Sequence, residues 1–235
     1  MDIDWGEIPY FAGLDLRAFQ RVENESRRHH YQAGATIFAE GEACAGFHVV
    51  LDGLVRIYRL NPEGRLHTLN LLRPLSTFNE VAAVDGGPNP FNAAAITNVE
   101  TLSIPHERLL RLMASEPALL SNYVQSLAHL NRDYIERLED MTFRTIPSRL
   151  AKLFLHETAY ADQISETPTH LTQEDIASIL GTTREVVGRA LRGLLNAGLL
   201  RKKGRNVYVA NRTGLERLAE VNEMPEPIDK KERAL

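Results

Sequence analysis

The sequence predicts an α+β fold, and three observations carry that prediction. From Arg27 to about Ile104, short segments with β-branched or aromatic residues at alternate positions are broken by Gly34, Gly41, Gly53 and Gly64. Strands and turns at a spacing of about 8 to 12 residues make a barrel or a sandwich. From Leu109 to Met141, apolar residues recur four and three apart, the spacing of a long helix. From Leu171 to Leu200, two short helices flank a tight turn, and a strand, a basic turn and a second strand follow.

At 235 residues, with 43% hydrophobic and 25% charged residues, the chain has the composition of an ordered soluble protein of one or two domains. No apolar run approaches the roughly 20 residues of a membrane span, and the acidic start MDIDWGE lacks the basic stretch of a secretory leader. A cytoplasmic protein with no membrane partner is expected. The single cysteine, Cys44, excludes an intrachain disulfide, a thiolate-held iron–sulfur cluster and a cysteine zinc site, and is expected to be a buried small hydrophobe. The net charge of −4 divides unevenly. Thr142 to Arg212 carries 11 Lys plus Arg against 6 Asp plus Glu, and the rest of the chain 16 against 25. The basic footprint therefore coincides with the helix pair and the basic turn, where displacement of counterions from a nucleic acid would act.

In chain order, Ile8 to Val22 predicts a short helix capped by Asp15, with Phe11, Leu14 and Phe19 as apolar contacts, forming a lid on the strands. The strands are carried by ATIFAEGE, FHVVLDGLVRIYRL, HTLNLL and AAAITNVETLSI, with a turn at Asn61-Pro62-Glu63-Gly64. In the long helix, Leu120, Val124, Leu127, Asn131, Tyr134, Leu138 and Met141 form the seam of a parallel two-stranded coiled coil and hence a dimer interface, in which Asn131 can fix the register. The alternative is that this stripe packs on the chain's own strands. Thr142 to Ile146 is the expected hinge. Pro147 is tolerated only in a first helical turn, so a new helix with Leu150, Leu153 and Phe154 starts there. A short helix with Leu215 and Leu218 closes the fold. The expected divisions are 1–115 for a sensory module, 116–142 for the dimerisation helix, 143–222 for the helix-turn-helix domain and 223–235 for a frayed tail.

Leu171, a Thr172 cap and Ile176 form a hydrophobic staple, and Glu174 and Asp175 suit the positive end of the helix dipole. Gly181 can take the left-handed turn conformation, Ala177 and Gly181 allow close packing, and the hydroxyls of Thr182 and Thr183 are expected to cap a second helix starting at Arg184. On that helix Val187, Ala190, Leu191, Leu194 and Leu195 share one arc; Arg184, Glu185, Gly188, Arg189 and Arg192 share the other. A charged outer arc alone reads equally well as a solvated face. Its neighbours decide for double-stranded DNA. The turn precedes it, and Arg201, Lys202, Lys203, Gly204 and Arg205 follow between strands Leu199-Leu200 and Val207 to Val209, which makes a winged helix-turn-helix. Arg184, Glu185 and Arg189 are assigned to base edges, because a guanidinium meets guanine O6 and N7 while a carboxylate accepts from cytosine N4. Thr172, Thr182, Thr183, Arg192, Lys202, Lys203 and Arg205 are assigned to phosphates.

Gly34, Ile37, Phe38, Gly41 and Glu42, then Phe47, Gly53, Val55, Ile57, Tyr58 and Gly64, then Phe78 and Glu80 follow the profile of the cyclic-nucleotide-binding β-roll. With a winged helix-turn-helix behind it, the chain resembles the cyclic-AMP receptor and fumarate-nitrate regulator family of bacterial transcription factors from about Phe11 to Leu218. The resemblance implies an N-terminal double-stranded, jelly-roll-like β-roll. It also implies a homodimer joined by the long helix, which borders an effector pocket at Asn131, and RNA polymerase as a partner if the protein activates. The family's nucleotide sensors set a glutamate on the ribose and an arginine on the cyclic phosphate. Glu80 holds the glutamate position, Asn79 stands where glycine is usual, and the phosphate slot falls in Pro88 to Asn92, with Phe91 and Asn92. From Pro74 to Glu107 there is no Lys or Arg. Burying a phosphate without a cation costs on the order of several kcal/mol, which argues against cyclic AMP.

TFNEVAAVDGGPNP resembles the corresponding stretch of the denitrification-regulator branch, whose members are proposed to sense nitric oxide through haem, so haem is kept as a candidate cofactor and a gas as an alternative to a small-molecule effector. None of the eight histidines, His29, His30, His48, His67, His106, His129, His156 and His170, stands in a spacing that identifies a ligand. Arg184, Glu185 and Arg189 reproduce the family's arginine, glutamate, arginine arrangement, and Gly188 replaces the serine of the fumarate-nitrate branch. The implied target is a palindrome of TGTGA-like half-sites. A β-roll regulatory subunit that recruits a protein is the competing reading, but it would not need the cationic arc or wing. No nucleophile elbow, P-loop or metal-binding spacing supports an enzyme.

Overall fold

Strands β1 (Arg27–Tyr31), β8 (Val99–Ile104), β3 (Phe47–Asp52) and β6 (Thr77–Phe78) lie side by side in that order in one antiparallel sheet. A second antiparallel sheet orders β2 (Thr36–Phe38), β7 (Asn92–Ala95), β4 (Val55–Leu60) and β5 (Leu66–Leu72). The structure, a computed structural model, describes residues 5–159, 171–204 and 206–221. His170, Arg205 and the expected tail 223–235 lie outside the described residues. The chain divides into two compact units, Met1–Tyr134 and Ile135–Leu235, the division falling within the long helix.

Strand β3 organises the first unit. Phe47, Val49 and Leu51 pack toward the helices, with Leu102, Ile104, Leu109, Leu119 and Tyr123. Val50 faces the other way and packs with Phe38, Val55, Ile57, Phe78 and Phe91 between the two sheets, where His48 stacks on Phe78 at 4.8 Å. Both faces of β3 are therefore covered, and its polar/apolar alternation is lost. The turn after β3 needs glycine. Gly53 has φ +87°, and a Cβ there would stand 2.2 Å from the Asn98 carbonyl oxygen.

Asp15 caps α1 (Leu16–Glu25) by accepting the Ala18 amide at 2.8 Å, as expected. The residues before it do not extend that helix. Trp5–Glu7 and Pro9–Phe11 form two short 3-10 turns, and Gly13 at φ +71° separates them from the cap. Ile8, Tyr10 and Phe11 are buried, with the Tyr10 ring 5.0 Å from Phe47 and 4.8 Å from Tyr123. Asn122 fastens this lid by donating to the carbonyls of Tyr10 and Ala12 at 3.3 and 2.7 Å. Cys44 is half-buried and polar in use, its thiol donating to the Ala82 carbonyl at 3.2 Å, a correction to its expected role as an inert apolar group.

The connector expected from Leu109 to Met141 comprises two helices, α3 (His106–Ser115) and α4 (Pro117–Phe143). Pro117 disfavours helical backbone at the residue before it, and Glu116 sits at φ −125°, ψ 87°. Along α4, Leu119 and Tyr123 are buried, and Leu127 packs on the same cluster instead of standing free in the seam. The rest of the seam is exposed: Leu120, Val124 (60%), Asn131, Tyr134, Leu138 (64%) and Met141.

In the second unit, the break between α4 and α5 (Ile146–Ala159) is confined to Arg144 and Thr145, inside the expected hinge. Four further elements complete the core with α8 (Arg212–Val221): α6 (Gln173–Leu180), α7 (Arg184–Asn196), β9 (Leu200–Lys203) and β10 (Asn206–Val209). Leu150, Phe154, Ile176, Val187, Leu194, Leu215 and Leu218 meet at its centre.

Candidate nucleic-acid interface

The first helix of the pair starts where its cap predicts. The Thr172 hydroxyl accepts the Asp175 amide at 3.1 Å, and the Asp175 carboxylate accepts the Thr172 amide at 3.0 Å, a reciprocal capping box. The same hydroxyl donates to Asp175 Oδ2 at 2.7 Å, so Thr172 is committed to the cap on both counts and has no free valence for a phosphate. Gly181 ends α6 in the left-handed region at φ +61°, and the amides of Gly181 and Thr182 both bond the Ala177 carbonyl. That closes the turn tightly enough for α7 to start three residues after α6 ends.

Helix α7 buries Val187, Ala190, Leu191 and Leu194 and leaves Arg184, Glu185, Arg189 and Arg192 exposed. Two expectations need correction. Gly188 is buried, against α6, where an added Cβ would meet the Gln173 Oε1 at 3.6 Å; the arc drawn from one helix alone could not include that neighbour. Thr183 stands at the N-cap position but makes no capping hydrogen bond. Its hydroxyl bonds the Glu185 carboxylate instead. Hydrogen bonds from its own amide and from Thr183, then the charges of Arg184 and Arg189, hold the Glu185 carboxyl below the usual carboxylate range. Glu185 is an exposed carboxylate acceptor beside two guanidinium donors, the combination that can address a guanine and a cytosine edge.

The hairpin is also built differently from the expectation of a basic turn. Arg201, Lys202 and Lys203 belong to strand β9 itself, paired with Tyr208, Val207 and Asn206, and only residues 204 and 205 lie between the strands. Gly204 takes φ +64° there. Pairing with the apolar strand β10 outweighs the weak strand preference of lysine. Arg201 lies over the Tyr208 ring at 5.0 Å, while Lys202 and Lys203 are exposed. Among the described residues, Arg184, Arg189, Arg192, Lys202 and Lys203 make no salt bridge, apart from the field of Glu185 on the first two.

In the first unit the expected effector residues separate into buried and exposed sets. Asn79 is fully buried at φ +66°, a left-handed conformation that asparagine tolerates and glycine adopts freely. It begins α2 (Glu80–Asp85), and its Nδ2 donates to the carbonyl of Gly46 and to Asn89 Oδ1, both at 3.0 Å. Glu80 accepts the Thr77 hydroxyl at 2.7 Å, and Tyr123 donates to the Glu80 carbonyl at 2.9 Å. Burial pushes the Glu80 carboxyl above its ordinary range, opposed by Thr77 and its own amide. Phe91 is buried 5.9 Å from the Phe38 ring. Asn92 is tied to backbone, accepting the Glu40 amide at 3.1 Å and donating to the Tyr58 carbonyl at 3.4 Å. Asn131 is exposed on α4.

The residue that organises this segment is Asn89. Buried like Asn79, it accepts the Ala45 amide and the Asn79 side-chain amide, and donates to the carbonyls of Ala39 and Ala43 at 3.2 Å. All its side-chain hydrogen-bonding capacity is used to tie the slot to residues 39–45 and to Asn79. Three histidine rings are likewise engaged, His29 with Ser103, His48 with the Ala45 carbonyl and His106 with the Ala83 carbonyl. Burial pulls His48 down to about 4.

Residues 28–116 match the model of the cyclic nucleotide-binding domain, and residues 148–218 match the Crp-like helix-turn-helix domain. Over 213 residues the chain is 30% identical to a CRP-like cAMP-activated global transcriptional regulator of Mycobacterium tuberculosis, covering 89% of this chain and 95% of the relative. It is 28% identical over 211 residues to the cyclic AMP receptor protein of Thermus thermophilus, with 90% and 96% covered. The solved structure of the Thermus thermophilus catabolite activator protein superposes with a TM-score of 0.54 at 27% identity over 92% of this chain and 100% of that one. A crp/fnr-family regulator from Eubacterium rectale superposes with a TM-score of 0.71 at 22% identity, covering 90% and 97%. With both domains matched in this order and a 30% identical relative aligned along nearly its whole length, the chain belongs to the CRP/FNR family of DNA-binding transcription regulators.

Proposed function

We propose that this regulator acts as a homodimer on a palindrome of TGTGA-like half-sites, with α7 in the major groove. The carrying observation is the exposed Arg184, Glu185 and Arg189 on a helix whose opposite arc is buried. Arg184 and Arg189 supply guanine donors, and Glu185 a cytosine acceptor. Phosphate contacts are assigned to Thr182, Arg192, Lys202 and Lys203, and Arg205 keeps that role although it lies outside the described residues. A second copy is supported by the exposed stripe on α4, since a single chain leaves Leu120, Val124, Tyr134, Leu138 and Met141 in water. Two such copies present two recognition helices, which suits a two-fold symmetric site. If the protein activates, RNA polymerase is the partner this dimer would recruit.

The effector proposed is a small molecule without a phosphate. The Mycobacterium and Thermus relatives are cAMP-activated or cyclic AMP receptors, which favours a nucleotide; against it stand the absence of Lys and Arg from Pro74 to Glu107 and the engaged amides of Asn89 and Asn92. No histidine among the described residues is singled out as a haem ligand by its surroundings, so the proposal carries no haem.

Three outcomes are expected. In anisotropy titrations on a TGTGA palindrome and its single-base variants, Arg184→Ala should cost about 1 to 3 kcal/mol and relax one base position, whereas Lys203→Ala should weaken all duplexes alike and flatten the salt dependence. Equal, sequence-blind losses would contradict the role assignment. Calorimetry with cyclic AMP should give no micromolar binding; a micromolar isotherm would overturn the effector reading. Glu80→Gln keeps an acceptor for Thr77 and removes the acid. Because burial raises the folded carboxyl above its ordinary 4.5, wild type loses stability as pH rises from there through the folded value, where the unfolded chain ionises first. Denaturant melts should therefore show the variant gaining on wild type above about pH 4.5, with a constant difference below it; parallel profiles at all pH values would mean that Glu80 ionises normally in the fold.

A further inference from the structure

The turn between α6 and α7 is held from behind by Arg149, on the first turns of α5. Its Nη2 donates to the Leu180 carbonyl at 2.6 Å. Leu180 is the last residue of α6, and the final carbonyls of a helix have no partner within it. The turn amides of Gly181 and Thr182 are both spent on Ala177, so the Leu180 carbonyl is met by a side chain from another helix. A guanidinium suits that place, because the C-terminal end of a helix carries partial negative charge. From Leu180 only Gly181, Thr182 and Thr183 intervene before Arg184. A displacement at Leu180 is therefore passed to the base-reading residues by a short, hydrogen-bonded turn.

Burial pulls the Arg149 guanidinium below its ordinary value, with the Asp140 charge opposing. The end of α4 is tied to α5 by contacts of its own. Asp140 is the centre of a half-buried cluster. Its carboxylate accepts Lys152 Nζ at 2.8 and 2.7 Å and Arg144 Nε at 2.5 Å, and Lys152 reaches Glu136 at 3.0 Å. Arg144 Nη1 and the Ser148 hydroxyl both donate to the Ala219 carbonyl near the end of α8. The ends of α6 and α8 are thus each met by an arginine. Exposed ion pairs are worth little, but a partly desolvated cluster that also bonds helix-end carbonyls fixes geometry.

We propose that Arg149 is a positioning residue for DNA reading: by capping the Leu180 carbonyl it seats the α6–α7 turn and so sets the placement of α7. This rests on α7 being the DNA-reading helix.

The test uses the full chain with Arg149→Met and Arg149→Lys, and two readouts. Amide hydrogen exchange without DNA should show Gly181 to Glu185 exchanging about tenfold faster in Arg149→Met, with part of the protection restored in Arg149→Lys. The preference for a selected duplex over an unrelated one should fall about tenfold in Arg149→Met, while affinity for the unrelated duplex, set by wing and phosphate contacts, stays within about twofold. Unchanged exchange at the turn in Arg149→Met overturns the seating role, and equal losses on both duplexes overturn the positioning role. If Arg149→Met loses its cooperative melt, Arg149→Lys decides by the same two readouts, and wild-type exchange at the turn with wild-type preference there overturns the proposal. A wild-type protein that prefers no duplex would sink the DNA-reading assignment, and the exchange arm would still judge the seating of the turn.

Discussion

The two-sidedness of α7 is the constraint on which the second unit depends. Val187, Ala190, Leu191 and Leu194 are drawn into a core shared with α5, α6 and α8. At 100° per residue, burying these four leaves Glu185, Arg189 and Arg192 no place but the surface, while Arg184 is exposed as the first residue of the helix. Cations exposed this way would be unremarkable on any helix. Here the neighbouring structure gives them a direction: a closed turn in front, a strand carrying Lys202 and Lys203 behind, and the exposed carboxylate of Glu185 between the arginines. The arrangement joins a donor, acceptor, donor pattern to a fixed helix axis, which is what reading base edges requires.

In the first unit the same economy of side chains closes the β-roll. Two buried asparagines, Asn79 and Asn89, hold the segment between β6 and β7 against residues 39–46 through backbone groups. Glu80 is buried with a threonine and two tyrosines close by, and among the described residues no cation lowers it. An anion entering these surroundings would lose its hydration without gaining a counter-charge, which is the physical ground for proposing an effector without a phosphate.

Local signals made most of the architecture legible in the sequence. The α6 start follows from Thr172 and Asp175 three residues apart, its end from Gly181, the α5 start from Pro147 and the α1 cap from Asp15, all decided within one helical turn. What the sequence concealed depends on contacts distant in the chain. Gly188 looked outward until Gln173 of the facing helix covered it, and Thr183 looked like a cap until Glu185 competed for its hydroxyl. Asn89 had no readable signal, because apart from Asn79 its partners are backbone atoms some fifty residues away. Arg149 was hidden for the same reason, since a helix-end carbonyl has no sequence signature of its own.

The central claim is that a symmetric pair of α7 helices reads a palindrome, and selection of bound duplexes from a random-sequence pool by the purified protein tests it most directly. The enriched sequences should contain two inverted TGTGA-like half-sites with centres about one helical turn, roughly 10 base pairs, apart. Enrichment of a single unpaired element, or of no sequence at all, would contradict the account.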